Sequence, residues 1–350
     1  MNHQSATCHL CVTHSPLVTR VFEAVIRQRE IQADSIRWIA RRGVAIHGSG
    51  ANLDEESDEM ERCFGNYDRS GFFAIRKRFD EALHRLTEGR SFEAYLPHAN
   101  KIIYQEIIRH PKCVGYSFLE EGFTSMAWDI WPKARARSTW SKVLRNYLRT
   151  WWVRPSYRFN RPMFDHSLPH YRAAYAISKH AFRGMQGRAD VTKHLPSMPA
   201  GDGTSNTYVI LDSVYLHLRI SWGNYENALV AAVLKHSPPS SELRIKFHFA
   251  DARAQQRFGS IRERLVEAGL SSICLLGSDF AVEDNLTSED MLLFGVTSLG
   301  YYSALAGARV KSFADAIDGL PLHTLISNGA LPGDFLQIVG LPDTSPTSRS

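Results

Sequence analysis

The sequence predicts an α/β protein with two domains, each built on a parallel sheet. Short apolar runs rich in β-branched and aromatic residues alternate with amphipathic segments of about ten to fifteen residues, which is typical of βαβ units. A stretch rich in Pro, Gly and Ser, residues 195–206, interrupts this alternation, which then resumes. The chain of 350 residues is long enough for two domains, and its hydrophobic fraction of 44% suits two buried cores.

Strands and helices alternate from the start of the chain. The apolar run 8–14 predicts a buried strand, and 15–30 predicts a helix with Ser15 as its cap and Pro16 in its first turn. An acidic segment, 52–62, is predicted as a solvated loop. Further strands are predicted at 35–40, 92–97 and 113–122, and further helices at 72–88 and 99–110.

The second half repeats this pattern after the Pro/Gly/Ser-rich stretch. We take 1–195 as the first domain, 196–206 as a linker and 207–340 as the second domain, and we expect the polar tail 341–350 to be disordered. Ligands of open α/β sheets bind beyond the carboxyl ends of the strands, so we expect a site in a cleft where two such edges face each other. The second domain has predicted strands at 207–216, 242–249 and 271–277 and predicted helices at 224–236 and 251–269.

Composition and charge narrow the possible functions. The net charge of +5 is mild, so we expect no nucleic-acid partner. No apolar run is long enough to span a bilayer and the first residues lack the pattern of a secretory signal, so we expect a cytoplasmic protein. Cys8 and Cys11 form a CxxC pair without a second pair at zinc-site spacing, which favours buried structural thiols over metal or redox chemistry.

Three polar motifs share one kind of position, because each stands at the carboxyl end of a predicted strand. They are Glu120-Glu121-Gly122 in the first domain, and His248 and Thr297-Ser298 in the second. Taken singly, each has an ordinary explanation: a solvated turn for the acids, a core position for the histidine and a helix cap for the hydroxyl pair. Taken together, a carboxylate, a histidine and a hydroxyl pair at such edges are more typical of a catalytic site.

In their order along the chain, these motifs and their flanking segments resemble the bacterial sialyltransferases and polysialyltransferases. The matching segments lie between about Leu10 and Phe313 and are LPHANKIIYQEIIRHPKCVGYSFLEEG, YAISKHAF, VIL, LRIKFHF and FGVTS. The resemblance implies two Rossmann-like domains facing a central cleft, the GT-B arrangement. It also implies an inverting enzyme, without metal or other cofactor, that moves sialic acid from CMP-sialic acid to a glycan or glycolipid acceptor.

The resemblance also implies a role for each motif. Glu120 would be the general base that takes the proton of the acceptor hydroxyl, and Glu121 would tune the pKa of Glu120 or orient the acceptor. His248 would stabilise the leaving phosphate of CMP. The remaining CMP-sugar-binding residues would be Thr297 and Ser298 at the phosphate, Glu283 at the cytidine ribose and Gly122 in the paired-acid motif.

One residue departs from the family pattern. Phe249 stands where the family has a proline after the histidine, so the backbone that orients the ring of His248 is less constrained. Two alternatives stay open. The first is a transferase that uses CMP-Kdo or another CMP-nonulosonate, and the second is a non-catalytic nucleotide-binding protein of the same fold.

A basic aromatic region interrupts the first domain at 127–185, and we predict a helical insertion there. In its part 131–161, Trp and Arg are dense and acidic residues are absent. This composition suits an anionic membrane surface or an anionic acceptor glycan, which we rank before a plain solvated helix pair or single-stranded nucleic acid. The corresponding expectation is a peripheral position on the inner face of the cytoplasmic membrane.

Overall fold

The chain divides into two compact units, Met1–Leu195 and Pro196–Ser350. Each unit has one parallel sheet, so the predicted α/β class with two sheet-based domains is confirmed. The central cleft between the domains stays a prediction. The computed structural model describes residues 7–41, 44, 48–128, 140–154, 163–195, 198–201, 203, 205–212, 214–218, 220–238, 241–248, 251–277 and 280–342. Phe249, most of the tail 341–350 and parts of 131–161 lie outside these residues.

The first unit is organised around a parallel sheet. Within the described residues its strands are β1 (Cys8–Thr13), β2 (Ile36–Ala40), β3 (Gly50–Asn52), β4 (Phe92–Leu96), β5 (Cys113–Leu119), β6 (Tyr171–Ala176) and β7 (Arg188–Asp190). Their spatial order is β3-β2-β1-β4-β5-β6-β7. The chain order therefore reverses between β1 and β4, and such a reversal is where open α/β sheets bind their ligands.

Helices cover both faces of this sheet. They are α1 (Pro16–Arg29), α2 (Asp54–Gly65), α3 (Arg69–Thr87), α4 (Ile102–Arg109), α5 (Phe123–Met126) and α6 (Trp140–Val153). On one face, the ring of Phe22 in α1 packs against Trp38 and Tyr95, with centroid separations of 5.1 and 4.7 Å. On the other face, α2, α3 and α4 enclose a core that includes Phe72 and Phe79. The Oγ of Ser15 accepts from the N–H of Val18, as the predicted cap requires.

Three segments differ from their predicted structure. The strand predicted at 207–216 ends at Ile210, and Val214–His217 form a short helix whose first N–H donates to the Asp212 carboxyl. The prediction of a solvated loop at 52–62 is wrong, because the helix α2 begins at Asp54. Its acids fill the first turn, where they complement the helix dipole, and Met60 and Phe64 lie one turn apart in the core. Residues 171–176, predicted as part of a helical insertion, form β6, because they pair in parallel with β5 and bury their last three side chains.

The second unit has a smaller sheet of the same kind. Within the described residues its strands are β8 (Thr207–Ile210), β9 (Leu243–Lys246), β10 (Ile273–Leu275), β11 (Met291–Phe294) and β12 (Arg309–Ser312). The spatial order is β10-β9-β8-β11-β12, and all pairs are parallel. The order reverses between β8 and β11, which is the expected ligand-binding position of this sheet.

The second sheet is also covered by helices on both faces. These are α7 (Val214–His217), α8 (Trp222–His236), α9 (Ala254–Glu267), α10 (Val282–Asn285), α11 (Ser298–Leu305), α12 (Leu322–Ser327) and α13 (Phe335–Ile338). On one face, α8 and α9 contribute Leu229 and Leu265 to a core with Leu293. On the other face, α11 approaches closely, because Gly300 has no side chain to displace the ring of Phe294.

The segment predicted as a linker is hydrogen-bonded to the second unit. The N–H of Ser288 donates to the carbonyl of Pro199 at 3.0 Å, and the N–H of Asn206 donates to the carboxylate of Asp290 at 2.8 Å. Burial raises the pKa of the Cys8 and Cys11 thiols, which fits structural cysteines. Among the described helices, none is long and apolar enough to cross a bilayer.

Candidate functional site

Three neighbouring strands of the first sheet bring three titratable side chains together. His14 follows β1, His98 follows β4 and Glu121 follows β5, and these strands are adjacent in the order β1-β4-β5. Parallel strands in a sheet lie about 5 Å apart, so residues that follow neighbouring strands come within side-chain reach. The resulting His14–Glu121–His98 cluster lies at the point where the strand order reverses.

Glu121 is the centre of this cluster. Its Oε2 lies 3.4 Å from Nε2 of His14 and 3.9 Å from Nε2 of His98, and its side chain is only 5% exposed. The backbone N–H of Asn100 donates to Nδ1 of His98 at 3.0 Å, so a neutral His98 carries its proton on Nε2, toward Glu121. Thr124 Oγ1 donates to the other carboxylate oxygen at 2.9 Å. A carboxylate held in this way is fixed in position and has proton-carrying neighbours.

Glu120 has a different environment from the adjacent Glu121. It is fully buried, and its Oε2 accepts from the backbone N–H groups of Ile177 and Ser178 at 2.6 and 3.0 Å. Both donors follow β6, the strand next to β5. Glu120 therefore ties the end of β5 to the loop after β6. Its assignment as the general base stays a prediction.

Gly122 completes the paired-acid motif for a backbone reason. Its φ of 121° and ψ of −156° lie in a region that is open to glycine and strained for other residues. This conformation turns the chain directly from the carboxylates into α5. Gly122 thus sets the direction of the backbone after Glu121, and its predicted contact with a CMP-sugar stays untested.

At the edge of the second sheet, a buried carboxyl group holds the reversal point together. Asp212 follows β8, and its two oxygens accept from the N–H of Val214 at 2.9 Å and from the N–H of Val296 at 2.6 Å. The hydroxyl of Tyr225 donates to the same carboxyl at 3.2 Å. Val296 lies in the loop after β11, so Asp212 joins the ends of β8 and β11. Burial raises the pKa of Asp212 to about 6.

The loop after β11 depends on a glycine. A Cβ on Gly295 would come 2.5 Å from the carboxyl oxygen of Asp212, so a larger residue would push the carboxyl group away. Two residues later Thr297 caps α11, its Oγ1 accepting from the N–H of Leu299 at 3.2 Å. Ser298 is the first residue of α11. The predicted hydroxyl pair therefore lies at a helix N-terminus, where N–H groups and the helix dipole favour an anion.

The other predicted residues of the second unit follow β9 and β10, at the same edge of the sheet. His248 lies two residues after β9, and its backbone carbonyl accepts from the N–H of Asp251 at 2.9 Å. Glu283 is part of the short helix α10 after β10. In spatial order, the residues that follow β10, β9, β8 and β11 are Glu283, His248, Asp212 and Thr297.

Three residues at these edges were not predicted from the sequence as part of a site: His14, His98 and Asp212. His14 ends a predicted strand and His98 follows one, so their signal was the same strand-end position that identified the acids, whereas Asp212 lies inside the strand predicted at 207–216, which ends at Ile210 in the structure. The missing information was strand order, since only neighbouring strands bring their ends together. Among the described residues, no group of three or more His, Cys, Asp or Glu side chains is arranged to hold a metal ion.

Comparisons with known proteins concern the fold. No family model matches this chain, and no curated protein sequence matches it. Similar solved structures include a UDP-GlcNAc 2-epimerase from Neisseria meningitidis bound to UDP-GlcNAc, with 9% identity over 95% of each chain and a TM-score of 0.44. A putative UDP-N-acetylglucosamine 2-epimerase from Listeria monocytogenes has 9% identity over 88% of this chain and 79% of its own, with a TM-score of 0.47. The E. coli heptosyltransferase WaaC with ADP has 13% identity over 87% of each chain and a TM-score of 0.39.

Proposed function

We propose that this protein is an inverting glycosyltransferase that moves an acid sugar of the sialic acid type from a CMP donor to a glycan or glycolipid acceptor. One observation supports this most directly: the Glu121 carboxylate lies between the imidazoles of His14 and His98 at the reversal point of the first sheet. A fixed carboxylate with histidine neighbours is suited to taking a proton from an acceptor hydroxyl. The choice of CMP and of an acid sugar comes from the motif resemblance.

In the proposed reaction, the acceptor oxygen forms a bond to the anomeric carbon while its proton moves to Glu121. The bond between the anomeric carbon and the phosphate oxygen breaks, and its electron pair stays on CMP. Attack from the face opposite the phosphate inverts the anomeric centre. The Nε2–H of His98 points toward the carboxylate and stabilises it before the transfer, and Nε2 of His14 is placed to share the proton afterwards.

The leaving phosphate needs positive electrostatic potential. The N-terminus of α11 supplies N–H groups, with Thr297 and Ser298 as hydroxyl donors, and His248 is the proposed side-chain donor. Asp212 acts here as a positioning residue, because it holds the N–H of Val296 immediately before the cap. In this scheme residues of the first unit accept the proton, and residues of the second unit stabilise the leaving phosphate.

We assign the base to Glu121 rather than to the sequence-based choice, Glu120. The Glu120 carboxylate is fully buried and already accepts two backbone N–H groups, so taking a proton would weaken both bonds. Glu121 has its oxygens directed toward two imidazoles and one hydroxyl. Glu120 then serves as the residue that fixes the position of Glu121.

A donor screen tests this function. Purified protein is incubated with CMP-sialic acid, CMP-Kdo and UDP-GlcNAc, with and without glycan acceptors, and free nucleotide is measured in the presence of EDTA. We expect CMP release from an acid-sugar donor, with no requirement for a divalent metal. Turnover of the UDP-sugar alone, or activity that returns only when one metal is added, would contradict the proposal. CMP binding without release from any donor would favour the non-catalytic alternative.

A further inference from the structure

One face of α6 carries a continuous stripe of large apolar side chains that is open to solvent. The side chains recur at i, i+3, i+4, i+7 and i+8, which is one face of a helix. Their exposed fractions lie between 45% and 66%, although large apolar residues of this kind are usually buried. We call this set the α6 stripe; it consists of Leu144, Tyr147, Leu148, Trp151 and Trp152.

The stripe is not the face by which α6 is attached to the first unit. Val153 is fully buried and Thr150 is 8% exposed, and both lie on the opposite side of the helix. The helix α6 packs against α2 and α3, and of the stripe Trp152 lies at the edge of this contact, beside Arg69 of α3. The helix therefore has one buried face, which holds it to the unit, and one face that is largely exposed.

The charge around the stripe indicates the kind of partner. Residues 131–161 contain nine Lys and Arg residues and no Asp or Glu. Arg145 is exposed beside the stripe, and the guanidinium of Arg69 lies 5.9 Å from the ring of Trp152. The guanidinium of Arg149 lies over the ring of Tyr67 at 5.2 Å. Asp68 also lies near Trp152, but its carboxylate accepts from the N–H of Gly71 and the hydroxyl of Ser70. Apolar side chains flanked by exposed arginines complement an anionic lipid surface.

We propose that the α6 stripe docks the protein on anionic lipid bilayers. Trp and Leu side chains enter the boundary between headgroups and acyl chains, while the neighbouring arginines contact lipid phosphates. This docking does not depend on the transfer reaction, so its test is independent of the proposed function.

Vesicle co-sedimentation of the full chain tests the docking. We expect binding to phosphatidylcholine vesicles that contain about a third phosphatidylglycerol, at least about tenfold weaker binding to pure phosphatidylcholine, and loss of binding in high salt. The double variant Trp151→Ser with Trp152→Ser should bind the anionic vesicles at least about tenfold more weakly. The matched control is Leu234→Ser with Val266→Ser, which removes two similarly exposed apolar residues from α8 and α9 and should bind as the wild type does.

Three results would overturn membrane docking by this stripe. The first is unchanged vesicle binding in the tryptophan variant when circular dichroism shows that it is folded. The second is equal binding to neutral and anionic vesicles, or binding to neither. The third is a dimer in analytical ultracentrifugation that the tryptophan variant dissociates while vesicle binding is absent, since a second copy of the chain would then be the occupant.

Discussion

The carboxyl edges of the two sheets use the same framework for different chemistry. In each, a buried acid follows one strand and accepts a backbone N–H from the loop after a neighbouring strand. Glu120 does this for Ile177 and Ser178, and Asp212 does it for Val296. Buried carboxyl groups are costly unless they are hydrogen-bonded, so each marks a loop whose position the fold specifies strongly.

The edges differ in what the buried acid supports. Beside Glu120 lies a cluster of titratable side chains centred on Glu121. Beside Asp212 lies the N-terminus of α11, which presents backbone N–H groups rather than a base. Side chains that titrate suit proton transfer, whereas N–H groups at a helix start suit a phosphate. The comparison teaches that two acids adjacent in sequence can have separate roles, because Glu120 accepts backbone N–H groups whereas Glu121 faces side chains.

The largest effect on stability is expected at Glu120. Glu120→Ala leaves the N–H groups of Ile177 and Ser178 buried without this acceptor, so unfolding free energy should fall by roughly 2 to 6 kcal/mol. Glu120→Gln keeps an oxygen that can accept both hydrogen bonds, so its unfolding free energy should fall clearly less than that of Glu120→Ala. Urea unfolding of both variants measures the difference. Equal and small losses of unfolding free energy in the two variants would mean that Glu120 does not stabilise the contact between the end of β5 and the loop after β6. The comparison with Asp212 would then be wrong.

An intermediate effect is expected at Asp212, and it depends on pH. Because burial raises its folded-state pKa to about 6, the folded protein holds more protons here than the unfolded chain between about pH 4 and 6. The contribution of Asp212 to stability is therefore full at low pH and is lost as the pH rises through about 6. A rise of the Asp212 pKa from its ordinary value of about 4 to about 6 corresponds to roughly 3 kcal/mol of unfolding free energy.

Asp212→Asn isolates this contribution, since asparagine does not titrate. The unfolding free energy of the wild type minus that of the variant should decrease by roughly 3 kcal/mol between about pH 3.5 and 7.5. Urea unfolding across this range provides the measurement. A difference that does not change with pH, or that increases, would show that the environment of Asp212 does not penalise its charge.

The smallest effect is expected at the cap of α11. Thr297→Ala removes the acceptor of the Leu299 N–H and should cost about 1 kcal/mol of stability. If the helix start binds the phosphate, CMP affinity should fall by about tenfold as well, as calorimetric titration would show. Ser288→Ala, at an exposed position of the same unit, is the control. Unchanged CMP affinity in Thr297→Ala would remove this residue from the phosphate site.

Much of the fold could be predicted from local sequence pattern. The strands that end at Thr13 and Leu119 are apolar runs, and the helix after Ser15 has a cap and a proline in its first turn. The acidic helix α2 was missed because its charges obscure two core residues one turn apart. The strand β6 was missed because it lies within the basic aromatic region 127–185. Its parallel pairing with β5, which local sequence does not show, makes it a strand.

The site could be predicted in part for a related reason. Polar residues at the ends of predicted strands identified Glu121 and Thr297. This position did not distinguish the role of Glu120 from that of Glu121. The two roles differ because the Glu120 side chain points toward the loop after β6, where the N–H of Ile177 donates to it. The sequence around Glu120 does not show this direction. His14 and His98 join the cluster only through the strand order β1-β4-β5, and order is a property of the whole sheet.

The most direct test of the central claim compares the turnover of two glutamine variants on the donor that the screen identifies. Glu121→Gln should keep the wild-type unfolding free energy and lower turnover by roughly 10² to 10⁴, the usual contribution of a general base. Glu120→Gln should be less stable and, at a temperature where it is folded, keep turnover within about tenfold of the wild type. Near-normal turnover in Glu121→Gln together with its loss in a folded Glu120→Gln would contradict the assignment and return the base to Glu120.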